Sequence, residues 1–157
     1  MQGDRSYIPL CREGQMVCVV YNGAKYDGTN FESAALVVKT VADRDQHSCS
    51  KPHVIEDDGP GIPKIYDWDI SKRDPYKVVN GIMFEHGWFG AGAMSHDLKT
   101  DLYRAFIQGT CYEIDLDITF SNYKVWATGT IKEFTKRDQE QVKADLMNIL
   151  DSFRVLR

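Results

Sequence analysis

The sequence predicts an α+β fold: a mainly antiparallel β-sheet flanked by helices, with the C-terminal helix packed on the sheet. Three features carry this prediction. In residues 111–120, Tyr112, Ile114, Leu116, Ile118 and Phe120 alternate with Glu113, Asp115 and Asp117. That period of two puts successive side chains on opposite faces of a strand. A second aromatic-rich run, residues 102–108, precedes it across Gly109 and Thr110, and two such runs joined by a glycine turn read as a hairpin. Near the C-terminus, Val142, Leu146, Ile149, Leu150 and Phe153 recur at helical spacing, forming one apolar stripe that has to be covered by a sheet.

Along the chain, residues 7–10 and 16–21 read as strands joined by a turn at Gly14, followed by the turn dipeptides Asn22-Gly23 and Asp27-Gly28. Alanine and glutamate favour helix at the front of residues 29–41, but the β-branched run behind them makes 34–41 a strand. Residues 42–49 suit a short helical turn. Residues 50–76 hold four of the five prolines, with several glycines and many acids. They read as a long acidic loop at about 50–76 within one domain, 1–157. Residues 77–89 look extended and reach the hairpin through a glycine-rich connection, residues 87–93.

A glycine at the first turn position of the hairpin suits a type II′ turn. It sets Ile107 opposite Tyr112, Ala105 opposite Ile114 and Tyr103 opposite Leu116 on the core side. On the other side Phe106 meets Glu113, Arg104 meets Asp115 and Leu102 meets Asp117. Arg104 and Asp115 would then be an exposed cross-strand ion pair worth under about 1 kcal/mol. The three carboxylates share that side, but a flat strand does not wrap around a hard cation as a loop does. A solvated sheet face is therefore the expectation. Residues 124–134, with Trp126, read as a further extended segment. Thr135 and Asp138 form a capping box that starts a helix over 136–151, and 152–156 reads as a last short strand.

At 157 residues the chain is one domain that buries roughly two-thirds of its unfolded surface. A hydrophobic share of 43% and a charged share of 27% are those of a globular chain. The net charge of −4 argues against nucleic acid, which binds a basic face. No run approaches the roughly 18 apolar residues of a membrane span, and MQGDRSY is too polar for a signal peptide. The four cysteines, Cys11, Cys18, Cys49 and Cys111, contain no CxxC pair, so zinc-knuckle and thioredoxin-type motifs are absent. Cys11 and Cys18 flank a hairpin-like turn and can come within bonding distance, which leaves Cys49 for Cys111. Two disulfides imply an oxidising compartment. The alternative is four buried thiols, and the connectivity stays open.

Several groups invite a chemical reading. His47, Cys49 and His53 stand as H-x-C-x3-H, but a structural zinc site takes four ligands and no fourth is nearby. Residues 87–92 lack the lysine and hydroxyl of a phosphate loop. Ser95, His96 and Asp97 are adjacent in sequence, whereas a triad converges in space from separate places. The richest group is His86, Trp88, Phe89, Met94 and His96, a candidate apolar recognition surface with polar handles. The competing reading is that Trp88 and Phe89 seal the core.

Two segments resemble a family. GTNFESAALVVKT with the following Cys49 resembles the "GTNF…A…V…C" stretch of uncharacterised bacterial exported proteins. LYRAFIQGTCYEIDLDI and TIKEFTKRDQEQVKADLMNILDSFR resemble their "Y…NGxCYEF" hairpin and the closing helix ending in "IL.SF". That family looks like the PsbP-like α/β sandwich. The resemblance implies a secreted, periplasmic or lipid-anchored protein with Cys49 and Cys111 as partners, and it brings no catalytic residues. The Cys11/Cys18 pair and the acidic residues 56–74 depart from the pattern. The family's earlier N-terminal strands are not seen, which suggests a truncated chain without its signal sequence or lipid anchor.

The function expected from these readings is a non-catalytic extracytoplasmic binding or interaction module without a cofactor. Its partner, a protein or small ligand, and its oligomeric state are left open. One alternative is a small metal-binding protein using histidines and the acidic loop. Another is a hydrolase with a Cys or Ser nucleophile; the balance of the sequence is against an enzyme.

Overall fold

Long strands with a period of two fold into one sheet when the turns between them reverse the chain tightly. The computed structural model describes residues 10–50, 65–67 and 76–154. Its elements are β1 (Val17–Val20), β2 (Phe31–Val41), α1 (Gln46–Cys49), β3 (Ile65–Asp67), β4 (Tyr76–Val79), β5 (Ile82–Ala93), β6 (His96–Ile107), β7 (Thr110–Ser121) and α2 (Lys136–Leu150). The strands form one antiparallel sheet in the order β1-β2-β7-β6-β5-β3, with β4 also paired to β5. The α+β class with a C-terminal helix on the sheet is what the patterning predicts.

The β4–β7 meander turns on three two-residue reversals. Asn80 and Gly81, Met94 and Ser95, and Gln108 and Gly109 all have positive φ, the backbone of a type I′ turn whose twist matches the strands it joins. The last of these lies one residue before the Gly109–Thr110 turn expected. Consequently Tyr103 faces Ile114, Arg104 faces Glu113 and Leu102 faces Asp115. Every expected partner has moved by two positions. An even shift leaves each side chain on its predicted face, so the core assignment holds while the ion pair changes.

Pairing also overrides local propensity. β2 begins at Phe31 because β7 is long enough to pair with it as far as Phe120, across a bulge between Phe31 and Ser33. Residues 65–67, read as loop, pair with β5; the rest of that stretch (51–64 and 68–75) and residues 7–9 and 155–156 lie outside the described residues. Residues 77–89 belong to two strands, and 87–93 form the interior and end of β5 rather than a connection. Residues 124–134 are not a strand. They carry a 3-10 turn at Tyr123–Val125, a turn closed by Thr130 onto Ala127, and one bridge from Thr29 to Lys132. Residues 152–153 fold back on the helix end, with amides donating to Ile149 and Leu150, so no last strand starts there.

Helix α2 starts as predicted: Thr135 accepts from the Asp138 amide, and the Asp138 carboxylate accepts from the Thr135 amide. Its stripe of Val142, Leu146 and Leu150 is buried over β2 and β7 against Leu36, Val38, Ile114 and Leu116. Burial of each such side chain contributes roughly 1.5–3 kcal/mol. At one end Tyr26, Phe31, Phe120 and Phe134 form an aromatic cluster, Tyr26 and Phe134 edge to face and the other pairs tilted. A Cβ on Gly23 would lie 2.2 Å from Phe31 Cε1, so only glycine lets that ring close. Buried Asn30 joins the parts: its amide donates to the Ser121 carbonyl and its oxygen accepts from the Phe134 amide at 2.6 Å.

All four cysteines are bonded, Cys11 to Cys18 and Cys49 to Cys111. The second bond fastens α1 to β7, beside β6, on the face away from α2.

Candidate functional site

Among the described residues, α2 covers its side of the sheet over β2 and β7 and not across the whole width. Its flank meets β6 through a row spaced by four, Gln139, Lys143 and Met147. One helical step of four rises about 6 Å, close to the rise of about 6.8 Å over two strand residues, so that row matches Lys99, Asp101 and Tyr103 one for one. Lys99 donates to Gln139 at 2.7 Å, Lys143 to Asp101 at 2.6 Å, and the Tyr103 hydroxyl to the Met147 sulfur at 3.2 Å. Beyond β6, the register places Gly90, Trp88 and His86 of β5 opposite Lys99, Asp101 and Tyr103.

This third rank joins a partly buried histidine to an exposed tryptophan. His86 Nε2 lies 2.7 Å from Asp101 Oδ1, and its ring stacks on Tyr103 with centroids 4.6 Å apart. Trp88 is 46% exposed beside them. Burial works against the Asp101 charge, but His86 and Lys143 outweigh it and hold the carboxyl below its usual range. Burial, reinforced by Asp101, pushes the Tyr103 phenol well up, so it stays a neutral donor.

The opposite face overturns the solvated reading of Glu113, Asp115 and Asp117. Arg104 is 5% and Glu113 4% exposed, and Asp115 is buried as well. Arg104 donates to Glu113 through Nε and a terminal nitrogen. Lys39 bridges Glu113 at 2.6 Å and Asp115 at 2.8 Å, and Thr100 donates to Asp117. The expected Arg104–Asp115 surface pair is thus a buried Arg104–Glu113 pair. Lys39 and Arg104 face Glu113 and Asp115 there, Arg12 lies near enough to act on Asp117, and among the described residues Asp115 Oδ1 has no hydrogen-bond partner. Burial, then the neighbouring Glu113, pushes the Asp115 carboxyl up to about 7. Burial likewise raises Asp117, while Lys39 and Arg104 overcome burial and lower Glu113.

The five predicted recognition residues are strung along the β5–β6 hairpin. His86 and Trp88 share the helix side, two residues apart. Phe89 is on β5 opposite Thr100. Met94 is at the hairpin tip and exposed. His96 opens β6 opposite Ser121, on the other side of the sheet from His86. The carboxylate partner of His96 is Glu32 rather than Asp97, and Glu32 is raised chiefly by burial. Ser95, His96 and Asp97 therefore do not form a triad. Cys49, being bonded to Cys111, cannot supply the thiolate of an H-x-C-x3-H site, and His53 lies outside the described residues. Among the described residues no three His, Cys, Asp or Glu side chains converge as metal ligands, and no helix is long and apolar enough to cross a membrane.

Sequence reasoning missed Lys99, Asp101, Tyr103, Gln139 and Lys143 as neighbours of His86 and Trp88. The alternation of Lys99, Asp101 and Tyr103 and the four-residue spacing on α2 were both visible; which helix flank meets which strand row was not.

No protein-family model matches the chain, and no curated protein shows significant similarity to it. The fold and its two bonded cysteine pairs define an α+β, disulfide-containing domain, which fits an oxidising compartment.

Proposed function

We propose that this chain is a non-catalytic binding module working outside the cytoplasm, in a periplasmic or secreted setting, on a PsbP-like sandwich. The observation that carries the reading is Trp88: a large aromatic side chain left half in solvent next to the His86, Asp101 and Lys143 group. A buried ring contributes more to stability than an exposed one, so an uncovered tryptophan beside fixed polar groups is what a recognition surface offers a ligand. The cysteines add support, since all four are bonded and leave no thiol to act as nucleophile.

Native mass spectrometry of the purified protein incubated with fractionated extracytoplasmic small molecules tests the reading. A retained, chemically unchanged species that Trp88→Ala releases is the expected result. Conversion of a component to product, or equal retention by wild type and variant, would overturn it.

A further inference from the structure

We propose that the open row on β5 is a binding site for a neutral, short oligosaccharide, a reading that rests on the module proposed above and names its ligand. Trp88 and Gly90 sit side by side on the helix face of β5, and Gly92 follows two residues on. A glycine inside a strand weakens it and often marks a place where another molecule comes close. Gly90 has no other evident reason to be glycine. Its φ lies outside the left-handed region, and among the described residues an added Cβ would meet only the Leu98 carbonyl oxygen, at an ordinary 3.7 Å. Among the described residues no side chain stands within 4 Å of that position.

At Gly92 the situation differs, and the difference closes the row. An added Cβ would lie 2.9 Å from Asp97 Oδ1, so the Asp97 carboxylate leans over the strand at that point. The row therefore runs from an exposed indole, across bare backbone, to a carboxylate. At about 3.3 Å per residue it is roughly 13 Å from Trp88 to Gly92, room for a short chain of sugar rings.

The chemistry of the walls selects the ligand. An aromatic face stacks on the apolar face of a pyranose, and hydroxyls need both donors and acceptors beside it. Lys99 and Lys143 supply donors and Asp97 and Asp101 acceptors, the mixture of both kinds that a hydroxylated ligand needs. An extended peptide has no strand to add to here, because β5 is paired at Trp88 and Gly90 with β3 on one side and β6 on the other, whereas strand addition needs a free edge.

The test is titration of the intact disulfide-bonded protein with chitohexaose, cellohexaose and xylohexaose, read by amide and indole NMR shifts. Saturable movement of the Trp88 indole and Gly90 amide signals is expected with at least one. Trp88→Ala and Gly90→Val should each weaken that binding at least about tenfold, while Trp126→Ala, at a second exposed tryptophan whose indole donates to Ser121, should leave it unchanged. Unchanged affinity in Trp88→Ala and Gly90→Val would overturn the saccharide site. So would the absence of any shift with all three sugars while a non-sugar species bound through Trp88 in the mass-spectrometric experiment, and in that case the module itself would stand. If no species of any kind binds through Trp88, both readings fall.

Discussion

The two faces of β7 are buried by opposite means. Toward α2, Ile114, Leu116 and Ile118 pack against hydrocarbon; on the reverse, Glu113 and Asp115 are as inaccessible, yet packed against Lys39 and Arg104. An apolar contact is tolerant, since losing one methyl group costs only its own transfer and cavity terms. A buried ion pair is not, because removing one partner strands the other charge in a medium that cannot solvate it. The difference is one of brittleness rather than of depth.

The sharpest way to break the comparison is to remove one group from each face. Arg104→Ala should cost about 3–5 kcal/mol, measured by urea unfolding, because it leaves the Glu113 carboxylate short of a partner. Leu116→Ala should cost about 2–5 kcal/mol through its cavity. The faces separate in the double replacement Arg104→Met with Glu113→Leu, which should recover most of the Arg104→Ala loss. If Arg104→Ala alone costs under about 1 kcal/mol, the reverse face behaves as solvated and the contrast is wrong.

The disulfides extend the contrast. Cys49–Cys111 spans 62 residues and Cys11–Cys18 spans 7. Loop-closure entropy gives about 4 kcal/mol for the longer and about 2 kcal/mol for the shorter. Paired Cys→Ser variants compared by thermal unfolding should show that order. The reverse order would mean that the longer staple holds less of the reverse face in place than its span implies.

How much of this was legible in the sequence follows from the same physics. Alternation in 111–120 assigned every side chain of β7 to its face correctly, since a register slip of two preserves parity. The slip itself came from Gln108, whose left-handed backbone no turn preference announces; Met94 and Ser95 hid their turn in the same way. Asn80-Gly81 carried a strong hairpin signal and was passed over inside a run read as continuous strand. Alternation also cannot tell a wet polar face from a dry one: Glu113, Asp115 and Asp117 look the same in both cases until Lys39, more than 70 residues away in sequence, is brought beside them. For the candidate site, His86 and Trp88 were visible as residue types, but Asp101 and Lys143 became their neighbours only through the packing of α2.

A pH series sharpens the comparison further. Asp115 is raised to about 7, above the ordinary aspartate value of about 3.9. Between those values the folded state holds a proton that the unfolded state has lost, so stability falls as pH rises from about 4 through 7. A shift of that size corresponds to a few kcal/mol, about 2–4 once the opposing, lowered Glu113 is allowed for. Asp115→Asn should flatten this slope, leaving the smaller part that the raised Asp117 carries, and make the protein more stable than wild type at pH 8. Parallel curves for the two proteins would show that the carboxyl titrates as if in water.

The smallest effect belongs to the helix side and carries the opposite sign. Asp138, in the capping box of α2, has its carboxyl lowered by hydrogen bonds from Thr135. A lowered carboxyl contributes stability that is present above the unfolded value and lost as pH falls through the folded one. Thr135→Ala deletes the hydroxyl that the Asp138 amide donates to and that itself donates to the carboxylate, and should cost about 1 kcal/mol near neutral pH. Because part of that loss passes through the Asp138 charge, the gap between wild type and variant should narrow on acidification below pH 4, the range in which Asp115 is already protonated and silent. A gap that narrows instead between pH 5 and 8 would mean that the cap senses the buried carboxylates across the sheet. The two faces would then be one electrostatic unit rather than two independent ones.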